Sequence, residues 1–263
     1  MSEHLLETRD RGVAWLTLNR PDRLNAMSNE MLDDLLASMQ RLAADRDTGC
    51  VVLTGAGRGF CAGGDVKGMA EGSLQDDSLE GRTQALRRRM EVSRVIYEMP
   101  KPVIAMIRGP AAGAGLSVAL ACDLRVADET ALLTTAFAQV GLSGDFGGSW
   151  FLARLVGAGK AKEMYLTAAR VPATEARKLG ILNRVVAADT LEAETRALAE
   201  GLASGPRVAL AYMKQNLNGA WTASLSEALD MEARNHSRSG FTEDHLEASK
   251  AFVEKRKPVF RGR

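Results

Sequence analysis

The segment KPVIAMIRGPAAGAG, residues 101–115, joins a short apolar run to a loop of small residues. A continuous apolar run such as Val103–Ile107 is typical of a strand that is buried on both faces. The glycines that follow allow tight turns, and an apolar helix then extends through Leu120. Free N–H groups at the start of a helix carry partial positive charge and suit an anion. The segment therefore predicts a buried strand whose end serves either an anion site or close helix packing.

A second glycine-rich segment, GFCAGGD at residues 59–65, follows another short apolar run at residues 50–53. Taken alone, such a loop is more often a simple turn, because glycine tolerates sharp backbone bends. Two such loops at adjacent strand ends can each offer a backbone N–H group to the same oxygen, as in an oxyanion hole. The two loops together predict a site that stabilises a developing negative charge.

Outward from these loops, strand patterns alternate with helix patterns, and after about residue 160 the chain is mostly helical. Ser28 is a suitable N-cap for a helix with apolar residues at i, i+3 and i+4 spacing. Further strands are predicted at residues 13–18, 124–127 and 131–135, a helix at 87–98, and an irregular segment at 70–84. This order predicts an α/β core followed by a C-terminal helical layer. Arg87, Arg88 and Arg89 are expected to form a solvated helix face rather than a phosphate clamp.

The composition excludes several classes of protein. The net charge of the 263 residues is +1, so the overall charge does not indicate nucleic-acid binding and leaves only a local basic patch as an alternative. Three cysteines and three histidines have no metal-ligand spacing, so we expect reduced thiols and no metal. The N-terminal segment carries acidic residues and lacks the apolar stretch of a signal peptide, and no apolar run is long enough to span a membrane. We therefore expect a cytoplasmic protein.

Several motifs of this chain together resemble the crotonase family, also called the enoyl-CoA hydratase/isomerase family. They are Arg20-Pro21 with Leu24-Asn25-Ala26, residues 60–65, Lys101-Pro102 with residues 113–115, residues 121–124, residues 154–157 and residues 252–258. The resemblance covers nearly the whole chain in the family's order. It implies a spiral core of ββα units over residues 1–200 and a helical trimerisation layer over residues 201–263. It also implies an acyl-CoA substrate, a homotrimer or a dimer of trimers, and no cofactor beyond the coenzyme A that the substrate carries.

The resemblance also implies roles for individual residues. It places the two oxyanion donors at the backbone N–H groups of Gly64 and Ala114. Residues implied to line the coenzyme A groove are Leu24, Ala26, Asp65, Val66 and Lys67. The tail resembles the part that reaches a neighbouring subunit's adenine pocket, with Lys255 as a candidate ligand.

The reaction depends on the acid or base beside the oxyanion hole. Family hydratases hold water between two glutamates, and the corresponding residues here are Ser117 and Phe137. Neither is a carboxylate, although both are expected to contact the substrate. Asp145 lies in GLSGD, residues 141–145, which resembles the GLxxD segment of family isomerases that use one carboxylate. Without the resemblance, Asp145 beside glycines is more typical of an N-cap or a loop-closing residue.

The resemblance therefore implies an isomerase that converts a 3-enoyl-CoA to a 2-enoyl-CoA, with Asp145 as the acid/base. The main alternative is an atypical enoyl-CoA hydratase in which Asp145 and Ser117 position water. Two others remain: an enzyme like 4-chlorobenzoyl-CoA dehalogenase, for which the helix at 87–98 lacks the required histidine, and an inactive acyl-CoA binder.

Overall fold

The computed structural model describes residues 2–65 and 78–263, and these form an α/β fold, as predicted. The strands in the described part are β1 Leu5–Asp10, β2 Val13–Leu18, β3 Cys50–Gly55, β4 Val103–Ile107, β5 Pro110–Ala112, β6 Leu124–Asp128, β7 Leu132–Thr134, β8 Val171–Pro172 and β9 Arg184–Val186. The α-helices there are α1 Asn29–Ala44, α2 Leu79–Arg89, α3 Glu91–Glu98, α4 Ala114–Ala121, α5 Gly148–Thr167, α6 Ala173–Lys178, α7 Leu191–Ala203, α8 Arg207–Gly219, α9 Leu225–Gly240 and α10 Glu243–Val253.

Two sheets organise the core. The larger sheet has the order β1-β2-β3-β4-β6-β9, in which only the β1–β2 pair is antiparallel. The smaller sheet has the order β5-β7-β8. Strand β5 begins three residues after β4 ends, so the quoted segment passes from one sheet to the other before α4 starts. This step places the start of α4 beside the loop that follows β3, because Cys61 and Ala111 form a bridge between them.

The residue patterns explain why the central strands form where they do. Strands β2 and β4 have the predicted bounds, and every residue of β4 except Met106 is buried. Ser28 caps α1 as expected, because its Oγ accepts a hydrogen bond from the N–H of Met31 at 3.3 Å. The apolar stripe of α1 then packs into the main core. Strands β1, β5 and β8 were not predicted, since each is short or carries charged residues.

Two predictions between residues 70 and 98 are correct only in part. The segment at 70–84 was expected to be irregular; residues 70–77 lie outside the described residues, and residues 79–84 belong to helix α2, which corrects the prediction there. Ser78 caps this helix by accepting a hydrogen bond from the N–H of Gly81 at 3.0 Å. The helix predicted at 87–98 is the end of α2 followed by α3, and Met90 separates them. No residue of helix α2 is fully buried. The helix therefore does not need a regular apolar stripe, and its sequence lacks the periodicity from which a helix would be predicted.

The C-terminal region is helical, as predicted. The boundary predicted between residues 200 and 201 falls inside helix α7, and the division into two units stays a prediction. Lys214 of α8 connects this region to the core, because its Nζ donates to the carbonyl oxygens of Ile96 and Lys101 and pairs with Asp123 at 2.8 Å. Among the helices of the described chain, none is long and apolar enough to cross a membrane.

Candidate active site

One cavity of about 440 Å³ contains three of the predicted site residues that define the chemistry: Gly64, Ala114 and Asp145. It lies between the loop after β3, the start of α4 and the loop before α5. The other lining residues are Met27, Asn29, Leu32, Gly81, Arg82, Ala85, Leu86, Arg88, Arg89, Phe137, Leu142, Ser143, Gly144 and Phe146. The predicted donors and the predicted carboxylate therefore share one enclosed space, although they are separated by up to 81 positions along the chain.

Gly64 and Ala114 both line this cavity with backbone N–H groups that have no acceptor among the described residues. Their loops are fixed to each other, since the N–H of Ala112 donates to the carbonyl oxygen of Cys61 at 2.9 Å. A Cβ placed on Gly63 would lie 3.7 Å from the nitrogen of Ala114, which shows how closely the loops approach. Ala114 is the first residue of α4, where the N–H groups have no partner within the helix.

The small residues of the loop before α4 permit close packing and also leave backbone N–H groups free. Gly113 has φ 51° and ψ −125°, a conformation that only glycine adopts without strain. A Cβ on Gly115 would lie 2.6 Å from the Cβ of Cys61, so a side chain there would push α4 away from the loop after β3. The two interpretations offered for this loop, anion site and close packing, are therefore both compatible with its geometry.

Asp145 enters the cavity without a polar partner. Its Oδ1 is buried and accepts no hydrogen bond, and no ion pair forms with either carboxylate oxygen within the described chain. Burial raises the pKa of Asp145 to about 6. The interpretation of Asp145 as an N-cap is wrong, because Gly147 occupies the cap position of α5 and no side chain caps that helix.

The loop around Asp145 is held in a strained conformation. Gly144, Phe146 and Gly147 have φ values of 114°, 48° and 74°. For Phe146, a non-glycine residue, the left-handed region costs free energy that the surrounding packing must offset. Phe146 is almost fully buried in the main core, and this packing fixes the backbone on one side of Asp145.

Phe137 and Tyr165 form the apolar wall behind this loop. Phe137 lines the cavity as predicted, and its ring stacks on that of Tyr165 with centroids 5.9 Å apart. Tyr165 was missed by the sequence analysis. Burial and the negative charge of Asp145 raise the pKa of Tyr165 to about 12, so its hydroxyl stays protonated. Ser117 lies behind the wall, 1% exposed, and donates to the carbonyl oxygen of Gly113 at 3.2 Å.

The sequence offers no signal for Tyr165 because a break in helix α5 brings it to the site. Gly157 has φ 78° and ψ 159° inside the helix, which interrupts it. An unbroken helix would place Tyr165 roughly 25 Å from Gly148, at about 1.5 Å per residue. Instead, a Cβ on Gly148 would lie 2.5 Å from the Tyr165 hydroxyl oxygen.

The residues predicted to line a coenzyme A groove differ in their contacts and in their distance from the cavity. Asp65 pairs with Arg20 at 2.8 Å and with Arg23 at 3.5 Å, which ties the loop after β3 to the segment after β2. Leu24 adopts φ 48°, and its carbonyl oxygen accepts from the N–H of Ala62. Ala26 is buried and lies next to Met27, which lines the cavity. A coenzyme A contact stays a prediction for each of these residues.

The roles predicted for three other residues stay predictions. Val66 and Lys67 lie outside the described residues. Lys255 is exposed in the tail after α10, where its φ of 55° turns the chain back along that helix. Its predicted role depends on a neighbouring subunit and stays a prediction.

The arginines of α2 differ from one another in position. Arg87 is solvated and pairs with Glu91, as expected. Arg88 and Arg89 line the cavity, and the Arg89 side chain is only 14% exposed. The expectation of a wholly solvated arginine face was therefore wrong for Arg89.

Comparisons with known proteins agree with this geometry. The sequence model of the family described as enoyl-CoA hydratase/isomerase matches residues 8–263. The 1,2-epoxyphenylacetyl-CoA isomerase of Escherichia coli K12 is 36% identical, with all of both chains covered. The short-chain-enoyl-CoA hydratase of Clostridium acetobutylicum is 35% identical over 93% of this chain and 92% of its own. The solved enoyl-CoA hydratase from Polaromonas sp. JS666 superposes with a TM-score of 0.92 at 33% identity, covering 98% of this chain and 99% of that one. Such neighbours confirm the predicted crotonase-type fold.

Proposed function

Because this chain belongs to the enoyl-CoA hydratase/isomerase family, whose members act on acyl-CoA thioesters, we propose that it is an isomerase. The reaction moves the double bond of a 3-enoyl-CoA into conjugation with the thioester carbonyl, giving the 2-enoyl-CoA. Asp145 is the acid/base, and the backbone N–H groups of Gly64 and Ala114 stabilise the enolate. The observation that carries the proposal is that Asp145 is the one carboxylate among the described residues that line the cavity.

The proposed chemistry begins with binding of the thioester carbonyl oxygen by the two free N–H groups. Negative charge develops on this oxygen when the α-proton leaves, and fixed donors stabilise that charge most strongly in an enclosed site. The carboxylate of Asp145 takes the α-proton, and the electron pair delocalises into a dienolate. Asp145 then returns the proton to the γ-carbon, which leaves the conjugated product. No cofactor enters this sequence of steps.

The surroundings of Asp145 suit a base that works near neutral pH. A general base is most effective when its pKa lies close to the working pH, and the pKa of Asp145 is raised to about 6. Burial withholds water from the carboxylate, and the stacked rings of Phe137 and Tyr165 pack beside Gly144, the residue before it. A carboxylate that served a structural role would instead be hydrogen-bonded or paired.

Hydration is the second candidate, because relatives of similar identity are named as hydratases. Two-carboxylate activation of water would need further acidic groups in the cavity. Phe137 is apolar, and the Ser117 hydroxyl is buried and bonded to the Gly113 carbonyl. These positions favour the isomerase, in which a single carboxylate suffices.

The isomerase proposal is tested by supplying 3-hexenoyl-CoA and crotonyl-CoA separately and following the absorbance of the conjugated thioester. We expect absorbance to rise with 3-hexenoyl-CoA and to stay constant with crotonyl-CoA. Rapid loss of absorbance with crotonyl-CoA would instead indicate a hydratase. The name of the Escherichia coli relative makes 1,2-epoxyphenylacetyl-CoA a third substrate for the same series, followed by chromatography.

The role of Asp145 is tested with Asp145→Asn, which keeps the side-chain shape and removes the base. We expect kcat to fall by about 10²–10⁴-fold, the usual contribution of general acid–base catalysis. Asp189→Asn changes an exposed carboxylate away from the cavity and is the matched control. Full activity of Asp145→Asn would overturn the proposal.

We also propose that the C-terminal helices assemble the chain into a homotrimer or a dimer of trimers. Several large apolar side chains of the C-terminal helices and the turn between two of them are exposed in a single chain: Met213, Leu217, Trp221, Leu225, Leu229 and Leu246. Exposed apolar clusters of this kind usually mark an interface. Light scattering coupled to size exclusion gives the molar mass, and a monomer at micromolar concentration would contradict the assembly. A cytoplasmic location stays a prediction.

A further inference from the structure

Helix α2 turns one face toward the cavity that contains Asp145. The residues on this face recur every three or four positions: Gly81, Arg82, Ala85, Leu86, Arg88 and Arg89. This spacing places them along one side of a helix. The face is small or apolar in its middle and carries arginines at both ends, so the same cavity has apolar walls and concentrated positive charge.

Arg89 differs from the structural arginines of the chain. Its side chain is 14% exposed, and its Nε is buried without a hydrogen-bond partner. This Nε forms an ion pair with Oδ1 of Asp33 at 3.5 Å, and the Asp33 side chain is 55% exposed. Arg125, by contrast, is buried with its guanidinium bonded to the carbonyl oxygens of Ile181, Leu120 and Cys122. The fold thus satisfies the Arg125 guanidinium with hydrogen bonds, whereas the buried Nε of Arg89 has an ion pair with an exposed carboxylate and no hydrogen bond.

Arginines outnumber carboxylates among the described residues that line the cavity. These residues include Arg82, Arg88 and Arg89 and a single acidic residue, Asp145. Holding a guanidinium away from water costs free energy unless an anion compensates it. Guanidinium groups pair with carboxylates through two parallel N–H···O bonds, which makes them selective for this kind of anion.

We propose that Arg89, assisted by Arg88, binds a carboxylate at the far end of the acyl group. The enzyme would then act on coenzyme A thioesters of dicarboxylic acids. This inference rests on the proposed function, because that function places the thioester carbonyl at Gly64 and Ala114 in the same cavity. Arg89 lines the same cavity as Gly64, Ala114 and Asp145, and this shared cavity favours the acyl group over the coenzyme A phosphates as the source of the anion.

The test measures binding of saturated thioesters, which have no double bond to move. Calorimetry gives Kd for glutaryl-CoA and adipyl-CoA and for valeryl-CoA and hexanoyl-CoA, their neutral counterparts of equal chain length. We expect at least one dicarboxylic thioester to bind about tenfold or more tightly than its counterpart, the usual gain from a charged hydrogen bond. Arg89→Gln should abolish this preference. Arg87→Gln, on the solvated side of the same helix, should leave it intact.

The corresponding pantetheine thioesters, which lack the nucleotide phosphates, separate the two sources of anion. A preference for the carboxylate that persists in pantetheine thioesters and disappears in Arg89→Gln supports the acyl subsite. Equal weakening of charged and neutral CoA thioesters by Arg89→Gln, with no effect on pantetheine thioesters, would assign Arg89 to a phosphate and overturn the inference. So would the absence of any preference in the unmodified protein.

Two further variants keep the outcome interpretable. Arg89→Lys retains the charge and should retain part of the preference even if Arg89→Gln folds poorly, which thermal melting will show. Asp145→Asn should keep the full preference, since it leaves the anion subsite unchanged. The isomerase proposal can therefore fail, through unchanged activity of Asp145→Asn, while the carboxylate preference still stands.

Discussion

The rings of Phe137 and Tyr165 lie nearly parallel, 18° apart, although the two residues come from separate elements. Gly144 packs against both, because a Cβ there would lie 3.0 Å from Cε1 of Tyr165 and 3.8 Å from Cδ2 of Phe137. The stack therefore supports the loop that carries Asp145. We expect the same stack to shield the carboxylate from water, and thus to contribute to the raised pKa of Asp145.

Removing the Tyr165 ring should make Asp145 a weaker base. Tyr165→Ala opens the wall to water, so the pKa of Asp145 should fall from about 6 toward its usual 3.8. The acid limb of the kcat profile should move to lower pH, and kcat should decrease. Tyr165→Phe keeps the ring and removes only the hydroxyl, and its acid limb should stay in place. An unchanged acid limb in Tyr165→Ala would show that the ring does not control desolvation of Asp145.

The buried carboxylate should also make stability depend on pH. Because the pKa of Asp145 is higher in the folded chain than in the unfolded chain, folding is favoured when the group is protonated. The contribution is complete below pH 3.8 and is lost as the pH rises through about 6. Asp145→Asn should therefore be more stable than the unmodified protein at pH 7.5, by on the order of 2 kcal/mol.

Urea unfolding at pH 4.5, 6 and 7.5 measures this difference. The stabilisation by Asp145→Asn should shrink as the pH falls, because both side chains are then neutral. Asp189→Asn, an exposed change, should show no such trend. A stabilisation that is constant across the three pH values would mean that Asp145 titrates normally.

Gly148 should tolerate no side chain. A Cβ there would lie 2.2 Å from Oγ of Ser117 and 2.5 Å from the hydroxyl oxygen of Tyr165. Gly148→Ala should displace the start of α5 and, three residues upstream, Asp145, with a loss of about tenfold or more in kcat/KM because small misplacements of catalytic groups are costly. Gly201→Ala, in a helix with open space around the Cβ, should instead stabilise the protein by about 0.5–1 kcal/mol.

A double variant checks the cause of the Gly148 effect. Combining Gly148→Ala with Tyr165→Phe removes one of the two clashing atoms, so part of the lost activity should return. A different result is that the double variant recovers no activity while Tyr165→Phe alone remains active. That result would show that the loss in Gly148→Ala comes from the backbone at Gly148 and not from the clash with Tyr165.

Local sequence patterns predicted part of the framework of the site. Residues 101–115 contain their own strand, turn and helix start, so a helix start with free N–H groups could be predicted there. The particular positions Gly64, Ala114 and Asp145 came from the resemblance to the family, since glycines beside an aspartate favour a turn when taken alone.

The remaining features depend on contacts between distant segments. Tyr165 reaches the site because Gly157 interrupts α5, and a glycine in a helical pattern does not reveal in which direction the chain will turn. Arg89 lines the cavity from the last turn of α2, and adjacent arginines in a polar helix look alike in the sequence. When tertiary packing determines where a side chain lies, the sequence shows no periodic pattern from which that position could be predicted.

The backbone donor at Ala114 can be removed without changing a side chain's charge. Ala114→Pro deletes the N–H group at the first position of α4, where proline is normally tolerated. We expect kcat/KM to fall by about 10²–10³-fold, as for loss of one oxyanion donor. Ala114→Gly keeps the N–H group and should stay within severalfold of the unmodified enzyme. Circular dichroism shows whether both variants are folded, and a fully active Ala114→Pro would exclude this N–H group from catalysis.

The buried pair of Lys214 and Asp123 should hold the helical region on the core. Asp123 Oδ2 accepts from Lys214 Nζ at 2.8 Å and from the N–H of Val103 at 2.7 Å, at the start of β4. Burial raises the pKa of Asp123 even with the ammonium beside it. Lys214→Met leaves a buried carboxylate without its cation, and such losses cost about 3–5 kcal/mol.

The Lys214 prediction is checked by urea unfolding of three variants at pH 7.5. Lys214→Met should be destabilised strongly, and Asp123→Asn less so, because the amide oxygen can still accept from Val103. The double variant should recover much of the loss of Lys214→Met, since no unpaired charge then remains buried. Strictly additive effects would contradict the coupling, because residues in direct contact that share a charge interaction should not behave independently. Such additivity would mean that β4 is anchored by its sheet contacts and not by the ion pair.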